Sequence, residues 1–123
     1  MSPERKLKTT NPELVKLIRL LRKKARENKA AIWRDIAERL SKSRSRRVAV
    51  NLSRLNRYTD ENDEAVVPGK VLGAGVIDHP VKVAAFAFSE KARIKIKKAG
   101  GRCLSIPELI KMNPKGSNVK IIG

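Results

Sequence analysis

An almost entirely apolar run near the middle of the chain, Val81 to Phe88, constrains the fold more than any other feature of the sequence. Its length is that of a strand, and the apolar residues do not alternate with polar ones. A strand of this composition has to be covered on both of its faces. The sequence therefore predicts that this run lies in the core.

The residues after the run carry the signals of a helix start and a helix end. Ser89 is a favourable N-cap, and Glu90 places a carboxylate at the positive end of the helix dipole. Gly100 and Gly101 end the segment. The stretch Arg93 to Lys97 also alternates like a strand, but the end signals favour a helix.

A short strand, Arg102 to Leu104, and a capping box, Ser105 to Glu108, come next. The box opens a helix that Asn113 and Pro114 end. Strand, helix and strand make a crossover unit, which is expected to be parallel and right-handed. The fold class is therefore α/β, and Val119 to Ile122 is predicted as a final edge strand.

Glycines precede the apolar run, in the stretch Pro68 to Gly75. We expect a turn in which Gly73 has positive φ and Gly75 leaves room for a phosphate. A dinucleotide-binding fingerprint is the alternative for this pair of glycines. That motif needs a third glycine, an immediate helix and a later acidic residue, and none follows here.

Two basic helices are predicted before the glycines. Asn11, Pro12 and Glu13 give a strong helix start, and the helix should run to about Asn28. A second helix is expected over Ala30 to Leu40, with Trp33 packed rather than stacked on a base. A strand over Val48 to Leu52 follows. The apolar face of the first helix consists of Leu14, Leu17, Ile18, Leu21 and Ala25.

The charge is extreme and uneven. The chain holds 29 Lys and Arg against 12 Asp and Glu, a formal net charge of +17. Residues 1–57 hold 18 of these basic residues and only 5 of the acids. A polyanion is the expected partner, and the front half of the chain is expected to make most of the contacts to it. No apolar run approaches a membrane span or the core of a signal peptide, so a cytoplasmic location is expected.

Lys16, Arg19, Lys23 and Arg26 gather on the side of the first helix opposite its apolar face. An ordinary solvated face is the alternative. We favour phosphate contact because this face is expected to lack the acids at i+4 that would pair with these cations. The other candidate RNA-binding residues are Arg5, Lys6, Lys8, Lys42, Arg44, Arg46, Arg47, Arg54, Arg57, Lys70 and Gly75.

Three regions of a single domain follow from these patterns. Residues 1–10 are a basic arm that should order only on a partner. Residues 11–47 are a basic helical attachment region that ends in a Ser/Arg link, interpreted as a clamp on nucleic acid rather than a plain linker. Residues 48–123 are the compact α/β core.

Other chemistries find little support. The acidic cluster at 60–64 lacks the glycine and distal glutamate of a calcium loop, so a solvated loop is expected. His79 has no nucleophile marked nearby, and Cys103 is predicted to be a small buried hydrophobe. Phe86 and Phe88 are expected to share one strand face and to serve packing. We therefore predict no catalysis, no metal and no cofactor.

At these residues the chain resembles a known family, the archaeal and eukaryotic large ribosomal subunit protein numbered eighteen, a relative of the bacterial-type protein numbered fifteen. The stretch Pro68 to Gly75 and the run Val83 to Phe86 carry the resemblance. It is also carried by Phe88-Ser89, Ala92, Ile96 and Ala99 to Gly101. It covers nearly the whole chain, because it extends to Ile32-Trp33, Val50-Asn51, Arg54, Glu108-Leu109 and Asn113 to Gly116.

The resemblance implies a structural component of the large ribosomal subunit that binds its ribosomal RNA and has no catalysis of its own. It also implies an irregular superhelix of strand, strand, helix units, and neighbouring ribosomal proteins as partners. No membrane, small-molecule substrate or homo-oligomer is expected.

Two other classes remain open from the sequence. A DNA-compacting basic protein would have a similar charge. A small nucleotide-binding enzyme would instead need a saturable ligand whose binding depends little on salt.

Overall fold

The computed structural model describes residues 11–42 and 48–123. Within these ranges the chain forms five helices and five strands. Their order is α1 (Pro12–Asn28), α2 (Ala31–Leu40), β1 (Val48–Asn51), α3 (Leu52–Tyr58), β2 (Asp63–Leu72), β3 (Val81–Phe88), α4 (Glu90–Lys98), β4 (Arg102–Ser105), α5 (Ile106–Met112) and β5 (Val119–Ile121).

The five strands form one sheet in which every pairing is parallel. The order is β1-β2-β3-β4, and β5 also pairs with β2. β1 pairs with Gly69–Leu72 and β5 with Glu64–Val66, so these two short strands lie end to end along one edge of β2. The prediction of a final edge strand is confirmed.

Helices cover both faces of the sheet, and two separate cores result. One core joins α1, α2 and α5 to Val66, Ala84 and Leu104. The other joins α3 and α4 to strand residues that include Ala65 and Val67. Neighbouring residues of β2 and β3 alternate between these cores. The prediction that β3 is covered on both faces is therefore confirmed, and the fold is an α/β sandwich of three layers.

The connection from β2 to β3 is unusually short for two parallel strands. Val81 lies beside Asp63, so the chain must travel back along the whole of β2, about 30 Å, between Leu72 and Val81. Nine residue steps can span at most about 32 Å. A parallel connection normally takes a dozen residues or more. Residues 73–80 are therefore almost fully extended, and Ile77 is buried in the core below α3 and α4.

The predicted helix starts are confirmed by their capping hydrogen bonds. The Asn11 Oδ1 atom accepts from the backbone N–H of Glu13 at 3.0 Å, and the Ser89 Oγ atom accepts from that of Ala92 at 3.1 Å. Ser105 and Glu108 form the reciprocal capping box. All five residues predicted for the apolar face of α1 are buried.

Two sequence predictions are wrong at the start of the core. Leu52 does not end β1 but opens α3, a helix of seven residues that buries Leu52 and Leu55. This helix is too short to show a clear periodicity in the sequence. The predicted acidic loop is shorter than expected, because Asp63 and Glu64 already belong to β2.

Phe86 and Phe88 also depart from the prediction, since they do not share a face. Phe86 packs against the core of α1, α2 and α5, whereas Phe88 packs against the core of α3 and α4. The pairing register of β2 and β3 shifts between Val67 and Lys70. A bulge of this kind increases the local twist of the sheet, and Phe88 turns toward α4 beyond it.

Trp33 has the packing role that the sequence predicts. Its side chain is fully buried in the α1, α2 and α5 core. The indole Nε1–H donates a hydrogen bond of 2.7 Å to the carbonyl of Pro114, across 81 residues of chain. Trp33 therefore anchors the turn that follows α5 to the N-terminal helices.

We predict that Trp33→Phe lowers the free energy of unfolding by about 1 to 3 kcal/mol, because it removes buried ring volume and leaves the Pro114 carbonyl without its donor. Chemical denaturation of the free protein measures this loss. The salt dependence of RNA binding should be unchanged, since Trp33 is not exposed. A weaker salt dependence in a fully folded variant would contradict the packing role.

Candidate nucleic-acid interface

The candidate cations of α1 form a continuous exposed surface, which we call the basic ridge: Lys16, Arg19, Lys23 and Arg26. All four side chains are exposed, while the opposite side of α1 is buried against α2 and α5. The helix is fixed at both ends, because Asn11 caps its start and the N–H of Lys29 bonds to the carbonyl of Arg26 at its end. The ridge is thus a rigid row of positive charge.

Glu27 pairs with a lysine of the ridge, contrary to the sequence expectation. Glu27 lies 3.1 Å from the Nζ atom of Lys24 and 3.9 Å from that of Lys23. The hydrogen bond from Lys24 is the main reason why the pKa of Glu27 lies below its ordinary value. Such exposed pairs stabilise a protein very little. A phosphate can therefore replace Glu27 as the partner of Lys23 at small cost.

The remaining candidates do not all lie on the side of the ridge. Arg54 and Arg57 are carried by α3, which packs on the other face of the sheet. The Arg54 guanidinium lies 5.4 Å from the centre of the Tyr58 ring and donates to the carbonyl of Gly123 at 3.4 Å. Lys70 is exposed on β2, and Lys42 is exposed just after α2.

Six candidates fall outside the described residues, and so do the arm and most of the Ser/Arg link. Their assignment as RNA contacts stays a prediction from the sequence. They are Arg5, Lys6, Lys8, Arg44, Arg46 and Arg47.

In the glycine turn, the residue with positive φ is not the one that the sequence predicts. The positive φ, 90°, belongs to Gly75, whereas Gly73 is not among the residues of positive φ. A Cβ at Gly75 would lie 2.8 Å from the backbone nitrogen of Ser53. A Cβ at Gly73 would lie 2.8 Å from the Cβ of Lys91. Contacts within the protein therefore explain why both positions require glycine. A phosphate contact at Gly75 stays a prediction.

Helices α3 and α4 satisfy the carbonyls of this extended segment. The Lys95 Nζ atom donates to the carbonyls of Gly73 and Gly75, each at 2.8 Å. The backbone N–H of Ser53 donates to the carbonyl of Ala74 at 3.2 Å. Because an extended chain cannot pair its own backbone groups, these three bonds replace the ladder of a strand.

The other reactive side chains serve structure. The His79 ring lies 2.8 Å from the Thr59 hydroxyl and 3.0 Å from a carboxylate oxygen of Asp78, so it ties the connection to the end of α3. That bond to His79 is the main cause that lowers the pKa of Asp78. Burial raises the pKa of the half-buried Cys103 thiol. Across residues 11–42 and 48–123, His, Cys, Asp and Glu form no group that could hold a metal ion.

A second basic surface was not predicted as a contact surface. Lys91, Arg93, Lys97 and Lys98 are all exposed on α4, and we call them the α4 basic face. The sequence signal that indicates this surface is the helical period of α4. Ala92 and Ile96 are buried together, which turns these four cations outward.

Comparison with known families places the chain among the ribosomal proteins. The family model described as "Ribosomal protein 60S L18 and 50S L18e" matches residues 2–123, and the chain belongs to this family. The family identified from the sequence is thereby confirmed.

Archaeal relatives agree with this family over almost the whole chain. The chain is 52% identical to the large ribosomal subunit protein eL18 of Methanothermobacter thermautotrophicus, over 96% of this chain and 98% of the relative. It is 50% identical to the protein of that name from Archaeoglobus fulgidus, over 94% and 99% of the two chains. For the protein of that name from Methanospirillum hungatei the values are 51%, 92% and 93%.

In the part of the chain that the structure describes, no helix is both long and apolar enough to cross a membrane.

The two causes that require glycine in the turn can be separated by substitution. We predict that Gly75→Ala lowers the free energy of unfolding by more than the roughly 1 to 2 kcal/mol that positive φ alone costs a residue with a side chain. The added clash with the backbone of Ser53 is the reason. Chemical denaturation of the free protein measures this difference.

Gly100→Ala is the matched control for this prediction. Gly100 also has positive φ, 85°, but a Cβ there meets only the Pro80 side chain at 3.6 Å. The loss of unfolding free energy in Gly100→Ala should therefore reflect the backbone conformation alone. Equal losses for Gly75→Ala and Gly100→Ala would contradict the tight contact with Ser53.

Proposed function

We propose that this protein is a structural constituent of the large ribosomal subunit and stabilises its ribosomal RNA through contacts to the phosphate backbone. The relatives are named large ribosomal subunit proteins, and they match this chain over nearly its full length. The observation that carries the RNA contact is the basic ridge of α1, a fixed and exposed row of cations on a chain of net charge +17.

The chemistry of the ridge suits phosphates rather than bases. Lysine and arginine that neutralise phosphates release condensed counterions, which gives strong binding that depends on salt but not on base sequence. Aromatic residues make up only 3% of the chain, and Trp33 is buried, so base stacking has few platforms. The proposed target is therefore folded, phosphate-rich RNA.

We expect neighbouring proteins of the large subunit as further partners, and a cytoplasmic location within that subunit. We also expect the protein to act without catalysis or a cofactor, as a structural member of a ribosomal protein family. The six candidate cations outside the described ranges are proposed to add phosphate contacts to those of the ridge.

The ridge can be tested by the salt dependence of binding to purified large-subunit ribosomal RNA. Replacing both Lys16 and Lys23 with Gln should flatten the plot of log affinity against log salt by roughly 0.7 to 0.9 units for each lost contact. The full change at Lys16, Arg19, Lys23 and Arg26 should flatten it further.

The matched control replaces Lys111 and Lys115 with Gln, because both are exposed and neither belongs to the candidate set. Its salt dependence should stay close to that of the unmodified protein. An unchanged slope for the full ridge variant would mean that the ridge is merely solvated. An equal change of slope per lysine in the control would mean that the effect reflects net charge and not a specific contact surface.

The assignment to the ribosome has an independent test. The endogenous protein should sediment with large subunits through high salt, and the purified protein should prefer folded ribosomal RNA to duplex DNA at equal salt. A preference for duplex DNA, with no protein in the subunit peak, would instead favour a DNA-compacting role.

A further inference from the structure

The basic ridge of α1 and the basic face of α4 lie on opposite sides of the sheet. The buried side of α1 packs into the core that contains Val66 and Ala84. The buried side of α4 packs into the core that contains Ala65 and Val83. Because each helix turns its charged side away from its own core, the two basic surfaces belong to opposite layers of the sandwich.

The α4 basic face is not neutralised within the described part of the chain. No carboxylate of residues 11–42 or 48–123 lies within ion-pair distance of the amino groups of Lys91, Lys97 or Lys98. The single acid of α4, Glu90, stands at its first residue, where it stabilises the helix dipole. Four cations therefore face solvent on a helix of nine residues.

The α4 basic face is also held in place before any partner binds. Ser89 caps the helix, and Lys95 points inward to bond the carbonyls of Gly73 and Gly75. The Arg93 guanidinium lies over the Phe88 ring at 5.0 Å. Cations on a fixed helix lose less conformational entropy on binding than cations on a flexible chain. This surface is thus prepared for a polyanion.

One apolar side chain interrupts the charge and helps to identify the partner. Ile94 is 50% exposed and lies between Lys91, Lys97 and Lys98 at helical spacing. In an RNA helix the wide, shallow minor groove presents sugars between two rows of phosphates. An apolar residue flanked by lysines matches that surface.

We propose that this protein bridges two separate segments of large-subunit ribosomal RNA, one on the basic ridge of α1 and one on the basic face of α4. The two surfaces are at least about 25 Å apart, since the sheet and the helices that cover both of its faces lie between them. A single straight stretch of RNA cannot contact both. The inference rests on the proposed function and adds a second site to it.

Footprinting on protein-free large-subunit ribosomal RNA tests the bridge. One variant replaces Lys91, Lys97 and Lys98 with Gln, and the other replaces Lys16, Lys23 and Arg26 with Gln. Each should lose protection from hydroxyl radicals at its own set of nucleotides and keep the set that the other loses. Each should also flatten the salt dependence by roughly 2 to 3 units, which corresponds to three lost contacts.

The control with Gln at Lys111 and Lys115 should keep both sets of protections. Thermal unfolding checks that all variants are folded, and single Lys→Gln changes at 91, 97 and 98 replace the triple variant if it is not.

Three results would overturn the bridge. The α4 variant could protect the same nucleotides as the unmodified protein, which would mean that this face contacts an acidic protein neighbour or solvent. The two variants could lose the same nucleotides, which would mean one RNA segment. The control could lose them as well, which would mean a nonspecific charge effect. If the unmodified protein protects no nucleotide at all, it is the proposed function that fails.

Discussion

The short connection between β2 and β3 is the constraint on which the rest of the structure depends. Residues 73–80 return along the whole length of β2, so they have no slack to form a helix or to leave the sheet. The segment runs below α3 and α4 with Ile77 in the core between them. Gly73 lies against Lys91 of α4, and Gly75 lies against Ser53 of α3. Because glycine has no side chain, both helices can pack closely against the connection at these two points.

All connections between the parallel strands have the same handedness. As the chain moves across the sheet from β1 to β4, its connections lie on one face, which carries α3, the β2 to β3 connection and α4. From β4 the chain moves back across the sheet to β5, and α5 makes this connection on the other face. The sheet is parallel throughout and must be covered on both faces. Each face therefore receives helices, and the outer side of those helices becomes the protein surface.

The sequence predicts well those features that depend on local chemistry. The caps at Asn11 and Ser89 and the capping box at Ser105 bond to groups within three residues, so their residue types are enough to place the helices. The run Val81 to Phe88 predicts burial on both faces because nearly every position is apolar. The family resemblance rests on these same stretches, and the match over residues 2–123 confirms it.

Features that depend on distant partners could not be predicted in this way. The positive φ of Gly75 rather than Gly73 follows from contact with Ser53, more than twenty positions earlier in the chain. The separation of Phe86 from Phe88 follows from a register shift in the neighbouring strand. The basic face of α4 does not stand out in the sequence, because the front half of the chain holds most of the basic residues. Its position depends on which side of the helix is buried, and that is decided by packing against distant strands.

A cryo-EM map of the large ribosomal subunit from the source cells would test the two-sided account most directly. The account predicts phosphates at hydrogen-bonding distance, about 3 Å, from cations of α1 and of α4, with the two contacts made by different segments of ribosomal RNA. A map in which one of these two helices faces solvent or another protein, with RNA on a single side of the sheet, would contradict it.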